Sequence, residues 1–196
     1  MNQNEFKKAV VGSRSAVVVH IITGDGQGKT TASLGLALRA IGANKTVVII
    51  QFMKKGDSSE IKAIKKYKLP IEVERFGIGF YKILGDKHTA AEHKKACERG
   101  LAAAKKAIES QKYDVIILDE INVALGFKLL DIQNVIDILK FEPKLHLRGG
   151  CGTVDIILTG RKAPVKLKNL AARVSEIKNV KNYFDKGQKA REGIEF

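Results

Sequence analysis

The sequence predicts an α/β fold with a mostly parallel sheet flanked by helices. Three observations lead there. Short, continuous apolar runs alternate with segments of helical periodicity. The junction after the first run carries three glycines and a lysine, Gly24 to Lys29. A later apolar run ends in two adjacent carboxylates, Asp119 and Glu120.

Four apolar runs read as strands: Ala16–Ile22, Thr46–Phe52, Val115–Asp119 and Val154–Thr159. Their lack of alternation is the pattern of strands covered on both faces. Ile71–Phe76 ("IEVERF") does alternate and reads as one more strand. Thr31–Ile41 is rich in Ala and Leu and ends at Gly42, a C-terminal cap residue. Thr89 begins "TAAE", the spelling of a capping box, and opens a helix to about Ser110. Asp131 can cap a helix that puts Ile132, Val135, Ile136 and Leu139 on one face. Pro164 to about Ala172 forms another helix. The stretch Leu145–Thr153 ("LHLRGGCGT") reads as a flexible lead into a strand rather than as a site.

There is no internal repeat, low-complexity tract or linker, so one domain over residues 1–196 is expected, with residues 1–15 as a mobile N-terminal segment. No apolar run approaches the ~20 residues of a membrane span. Arg14 interrupts the apolar N-terminal segment, which argues against a signal peptide. Cys97 and Cys151 are far apart and lack a CxxC partner, which excludes a disulfide framework and a structural zinc site and fits the cytoplasm. The net charge of +14 comes from 35 basic and 21 acidic side chains and favours polyanionic partners. The basic residues, among them Lys54 and Lys55, are scattered, without the interleaved aromatic ladder of single-strand binders, so nucleic acid is not the expected partner.

The glycine run has the chemistry of a phosphate cradle. The usual loop reads G-x-x-x-x-G-K-[ST] between strand and helix. Counting back from Gly28-Lys29-Thr30 puts Thr23 where the first glycine belongs. Gly24, Gly26 and Gly28 still let backbone N–H groups turn inward on an anion. The following helix offers its N-terminus. Lys29 supplies a cation at a solvent-facing position, and the Thr30 hydroxyl can ligate Mg²⁺. Asp119 and Glu120 stand at the carboxyl edge of a strand, where parallel sheets bind ligands. One can hold the metal directly or through water, and the other can orient it or pair with Lys29.

In order along the chain stand "TGDGQGKTT", "LGLALRAIG", "QFMKKG", "GIGF", "LDEIN", "LTGRKAP" and the terminal "FDKGQKAREGIEF". With these motifs the chain resembles the ATP:corrinoid adenosyltransferases from about Val17 to Phe196. The resemblance implies a P-loop, RecA-like fold and a homodimer. It implies transfer of the 5′-deoxyadenosyl group of ATP to the cobalt of a Co(I) corrinoid, with release of triphosphate, in cobalamin biosynthesis or salvage. ATP lies in such loops in the reverse sense, so reaction occurs at the ribose C5′.

By the same resemblance Thr23, Gly24, Asp25, Gly26, Gln27, Gly28, Lys29, Thr30 and Thr31 match the ATP-binding stretch, and Arg39 a nucleotide contact. Thr30 and Glu120 match metal-binding positions, with Asp119 beside them; Lys29 and Glu120 are the catalytic candidates. Gly79, Phe80 and Tyr81 match the corrinoid-facing loop, which often reads G-F-T-W. Here Lys82 replaces the tryptophan, Ala172 stands where an aspartate is frequent, and Asn182 where a histidine is frequent. A flavoprotein-type electron donor would supply the Co(I) state. Two other readings of the residues stay open at this point: a P-loop ATPase or kinase of other specificity, and an ATP-binding paralogue without adenosyl transfer.

Overall fold

The structure, a computed structural model, describes residues 15–79, 81–82, 86–141, 152–181 and 191–194. Six parallel strands form one sheet: β1 (Ser15–Thr23), β2 (Val47–Gln51), β3 (Ile71–Arg75), β4 (Val115–Asp119), β5 (Gly152–Thr159) and β6 (Arg173–Glu176). Their order is β3-β2-β4-β5-β1-β6. The helices are α1 (Lys29–Gly42), α2 (Ser59–Lys66), α3 (Ala90–Ser110), α4 (Ile121–Gly126), α5 (Ile132–Leu139) and α6 (Val165–Leu170).

The apolar runs read as buried strands because both faces of the sheet are covered. Val47, Ile49, Val115, Ile117 and Ile157 pack on Leu34 and Ala37 of α1 and on Ile61 and Ile64 of α2. The alternate residues Val48, Ile50, Ile116, Leu118 and Ile156 share the opposite core with Cys97 and Leu101 of α3 and with Val135 of α5. Burial pushes the Cys97 thiol up to about 11, so it behaves as an inert core residue. Cys151 lies outside the described residues.

Local capping follows the sequence closely. The Thr89 hydroxyl accepts from the Glu92 backbone N–H while the Glu92 carboxylate accepts from the Thr89 backbone, a complete capping box. Asp131 accepts from the Gln133 N–H at the start of α5. Several expectations need correction. Gly42 is the last helical residue of α1, and Ala43 caps it, its N–H donating to the Ala40 carbonyl while the Asn44 N–H donates to the Ile41 carbonyl. Ser15 already belongs to β1 rather than to a mobile leader. Gly152 and Thr153 are the first residues of β5; residues 145–151 of the expected lead lie outside the described residues. The helix expected to run to Ala172 stops at Leu170, and a strand follows. That strand, β6, exposes all four side chains at the sheet edge and so carries no apolar signature. Among the described residues, no helix is long and apolar enough to cross a membrane.

Candidate functional site

The parallel arrangement brings four strand ends to one edge of the sheet. Thr23, Thr159, Asp119 and Gln51 close β1, β5, β4 and β2, which are neighbours in that order. All four are polar and at most 2% exposed. Buried polar groups need partners, and these largely supply one another. Thr159 Oγ1 donates to Asp119 Oδ1 at 2.8 Å and accepts from the Glu120 N–H at 2.9 Å. Gln51 Nε2 donates to Asp119 Oδ2 at 3.0 Å. Thr23 Oγ1 accepts from the Ala163 N–H at 3.1 Å.

The glycine loop springs from Thr23 and runs into α1. Gly24 and Gly28 have φ of +102° and +96°, conformations that favour glycine. The segment after β6 braces the loop. Ile177 N–H donates to the Thr23 carbonyl and the Gly26 N–H donates to the Ile177 carbonyl, each at 2.8 Å. The fit leaves no room for side chains: a Cβ on Gly26 would lie 2.7 Å from the Lys178 carbonyl oxygen. Asp25, Gln27 and Gly28 are exposed at the loop crest.

Lys29 opens α1. It is not solvent-facing as expected: it is 7% exposed, and its Nζ donates to the Gly26 carbonyl at 2.6 Å. Burial, with the positive charge of Arg161 near it, lowers its pKa below the usual lysine value; Glu120 and Asp25 oppose that shift. The Thr30 hydroxyl donates to Asp119 Oδ1 at 3.0 Å. Thr31 turns away, its hydroxyl on Glu60 of α2 at 3.4 Å. Arg39 is exposed in the last turn of α1, about 15 Å along the axis from Lys29 by helical rise, so the fold does not bring it to the loop within this chain.

Glu120 follows Asp119 at φ +65° and caps α4. Burial first, and then the Asp119 carboxylate, raise its pKa; Lys54, Lys29 and Arg161 hold it down. Lys54 and Arg161 were not singled out in the sequence as site residues. Lys54 Nζ donates to Thr30 Oγ1 at 2.7 Å and to Asp119 Oδ2 at 3.0 Å. Both cations belong to quoted motifs, "QFMKKG" and "LTGRKAP", but only the strand order reveals that they converge on Asp119 and Glu120.

The site can therefore receive an anion at the loop and a hard cation beside Thr30 and Asp119. Among the described residues no group of three or more His, Cys, Asp or Glu side chains could cage a metal. A hydroxyl and one carboxylate fit Mg²⁺, which keeps waters and takes few protein ligands beside phosphate.

The corrinoid candidates follow β3. Gly79 has φ +133°. Tyr81 is half-buried, its ring 5.1 Å from His93 and 5.4 Å from Phe127 between centroids. Lys82 Nζ stands 5.2 Å from the Tyr81 ring centroid. His93 is itself buried and meets both Asp86 oxygens at 3.1 Å. Phe80 and Asn182 lie outside the described residues. Ala172 is described; its N–H donates to the Val19 carbonyl at 2.9 Å, just before β6. A surface groove of about 1280 Å³ between α3 and α5 shares no lining residue with the loop.

Residues 15–196 match the family model described as ATP:corrinoid adenosyltransferase BtuR/CobO/CobP. The corrinoid adenosyltransferase of Escherichia coli K12 is 29% identical over 91% of this chain and 85% of its own. Corrinoid adenosyltransferase CobA of Salmonella typhimurium LT2 is 30% identical with the same coverage. A corrinoid adenosyltransferase of a Sinorhizobium species is 31% identical over 91% of this chain and 80% of its own. Among solved structures, a KaiC-like protein from Pyrococcus horikoshii OT3 aligns with a TM-score of 0.44 at 16% identity, covering 85% of this chain and 74% of that one, a likeness too slight to carry weight.

Proposed function

The chain belongs to the ATP:corrinoid adenosyltransferase family, and from that premise we propose how its residues serve the transfer of an adenosyl group from ATP to a Co(I) corrinoid. One observation carries the reading: the braced glycine loop holds Lys29 on its own Gly26 carbonyl and joins Thr30 to a buried acid at the end of β4. Thr23 to Thr31 hold the triphosphate, with loop N–H groups and the first turn of α1 donating to it.

Co(I) attacks C5′, the C5′–O bond breaks, and its electron pair leaves with the triphosphate. That leaving group carries about four negative charges, and fixed cations aimed at it stabilise the transition state. Lys29 turns its Nζ from the Gly26 carbonyl to the phosphates, and Arg161 adds charge from the β5 side. Thr30 and Asp119 would hold the metal, with Glu120 beside them; when bound, Mg²⁺ would neutralise phosphate charge. The second substrate approaches over Gly79–Tyr81. Tyr81, held against His93 and Phe127, offers an aromatic edge in a loop where Lys82 replaces the family's frequent tryptophan.

We assign the chain as one domain acting as a cytoplasmic homodimer, with a flavoprotein-type reductant as its electron source. The test is product analysis. With ATP, Mg²⁺ and a corrinoid reduced to Co(I), triphosphate should appear one-for-one with a light-sensitive alkylcobalt spectrum. Without the corrinoid, ATP should stay intact. Stoichiometric ADP with no alkylcobalt product would overturn the reading.

A further inference from the structure

Asp119 is buried and accepts hydrogen bonds from four donors: Thr30 and Thr159 at Oδ1, Gln51 and Lys54 at Oδ2. Three donors are neutral and belong to the strand ends or to α1. The fourth, Lys54, is the only ion pair of Asp119 among the described salt bridges. Its ammonium also stands 2.7 Å from Thr30 Oγ1. Because Thr30 gives its proton to Asp119, the oxygen facing Lys54 presents a lone pair. A hydroxyl lone pair and a carboxylate oxygen converging on one positive centre is the donor set of a hard cation.

From these contacts we infer that Lys54 holds the cation position between Thr30 and Asp119, gives it up to Mg²⁺, and passes its ammonium to the triphosphate. The inference rests on the reading of the loop as the triphosphate site.

Three features support an exchange over a permanent ion pair. First, the charge changes suit the ligand. Lys54 and Asp119 together are neutral; a divalent ion in that place leaves one surplus charge and frees a second, matching a polyanion arriving nearby. Second, only the side chain needs to move. Gly77 lies so close that a Cβ there would be 2.4 Å from the Lys54 nitrogen and 2.5 Å from its carbonyl oxygen, which fixes the backbone. The flexible four-carbon stem is free to swing, and the side chain is 20% exposed against 1% for Asp119. Third, Gln51 has a buried Oε1 without a hydrogen-bond partner, on the same amide whose Nε2 holds Asp119. An orphaned buried acceptor calls for a donor; the Lys54 ammonium gives N–H groups to Thr30 and Asp119 and none to Gln51 Oε1, whereas a hydrated Mg²⁺ brings several water donors.

The experiment uses the full chain without nucleotide. Mn²⁺ alone is titrated by electron paramagnetic resonance into the wild type, Lys54→Gln and Lys54→Arg. Lys54→Gln should bind Mn²⁺ at least tenfold more tightly than the wild type, whereas Lys54→Arg, which keeps the competing charge, should show no gain. In the presence of saturating Mn²⁺, Lys54→Gln should bind inorganic triphosphate at least tenfold more weakly. Should Lys54→Gln fail to fold, the wild type answers alone, through reductive methylation of Lys54 followed by mass spectrometry. Mg²⁺ should raise the labelling rate several-fold, and adding triphosphate should suppress it again. Equal or weaker Mn²⁺ binding by Lys54→Gln, or a labelling rate indifferent to Mg²⁺, overturns the exchange while leaving the loop reading intact. Failure of the wild type to bind triphosphate at all overturns both.

Discussion

Replacing Gly24 by alanine tests whether the segment after β6 holds the glycine loop in shape. Gly24 has φ +102°, and its missing Cβ would lie 2.3 Å from the Ile177 carbonyl oxygen and 2.9 Å from the carbonyl carbon. Those are backbone atoms, so the clash cannot be relieved by a rotamer. The positive φ costs an alanine about 1–2 kcal/mol. Moving Ile177 away also breaks its two 2.8 Å hydrogen bonds, to Thr23 and from Gly26, at about 1 kcal/mol each. The total is about 3–4 kcal/mol, a large share of the ~5–15 kcal/mol that holds a domain folded. Gly28→Ala is the control: its φ is +96°, but no atom lies within 4 Å of the added methyl, so only the ~1–2 kcal/mol conformational term applies. Urea and thermal unfolding should separate the two variants by about 2 kcal/mol, or roughly 4–8 °C in Tm at this chain length. If they unfold within ~0.5 kcal/mol of each other, the brace from Ile177 is not what shapes the loop.

Two further outcomes follow from the buried charges. Lys29→Met should weaken ATP binding at least tenfold in calorimetry, from the ~1.5–3 kcal/mol of a charged hydrogen bond, while leaving the fold as stable or more so. Its folded pKa lies below the unfolded 10.5, so the unfolded chain binds more protons in between and wild-type stability rises as pH climbs toward 10.5; the gap between variant and wild type should narrow between pH 7 and 10, and a constant gap would refute the burial argument. Glu120→Gln should slow adenosylation and move the Mg²⁺ requirement upward. The raised Glu120 pKa means that the wild type loses stability as pH rises from the unfolded 4.5 through the folded value, so the glutamine variant should be the more stable at pH 7 and show a flatter urea profile between pH 4 and 7.

The legible parts of this molecule are those whose signals are local. β4 announces itself because four buried apolar residues in a row, Val115 to Leu118, run up to Asp119. The capping box at Thr89 and the loop register through Gly28-Lys29-Thr30 are likewise written in adjacent residues. β6 is hidden for the opposite reason: Arg173, Ser175 and Glu176 face solvent at an edge, so no burial demand shapes them. α2 is short, and two isoleucines, Ile61 and Ile64, carry all of its buried apolar surface. The burial of Lys29 is not written locally: its Nζ folds back on the Gly26 carbonyl, in a loop braced by Ile177, about 150 residues away in the chain.

Distance along the chain also decides which members of the candidate site are legible in the sequence. Thr30 and Asp119 were each visible as residues of a type, but β5 lies between the loop strand and the acid strand. Their direct contact therefore depends on strand order, and Thr159 at the end of β5 shares the same Asp119 oxygen. Lys54 stands within "QFMKKG" as one of 35 basic residues, with no local sign that it meets Asp119. What separates it from the other cations is that β2 pairs with β4 in a register setting Gln51 beside Asp119, which delivers residue 54 over that carboxylate three positions later. A solvated lysine loses little when replaced, because exposed ion pairs are worth ~0–1 kcal/mol. Lys54 shares a buried acid with three neutral donors, and removing it leaves that acid without its cation. The acid must then recruit another cation or go uncompensated, a choice that ordinary surface lysines never impose and that makes Lys54 the residue whose substitution best discriminates a metal position from a structural ion pair.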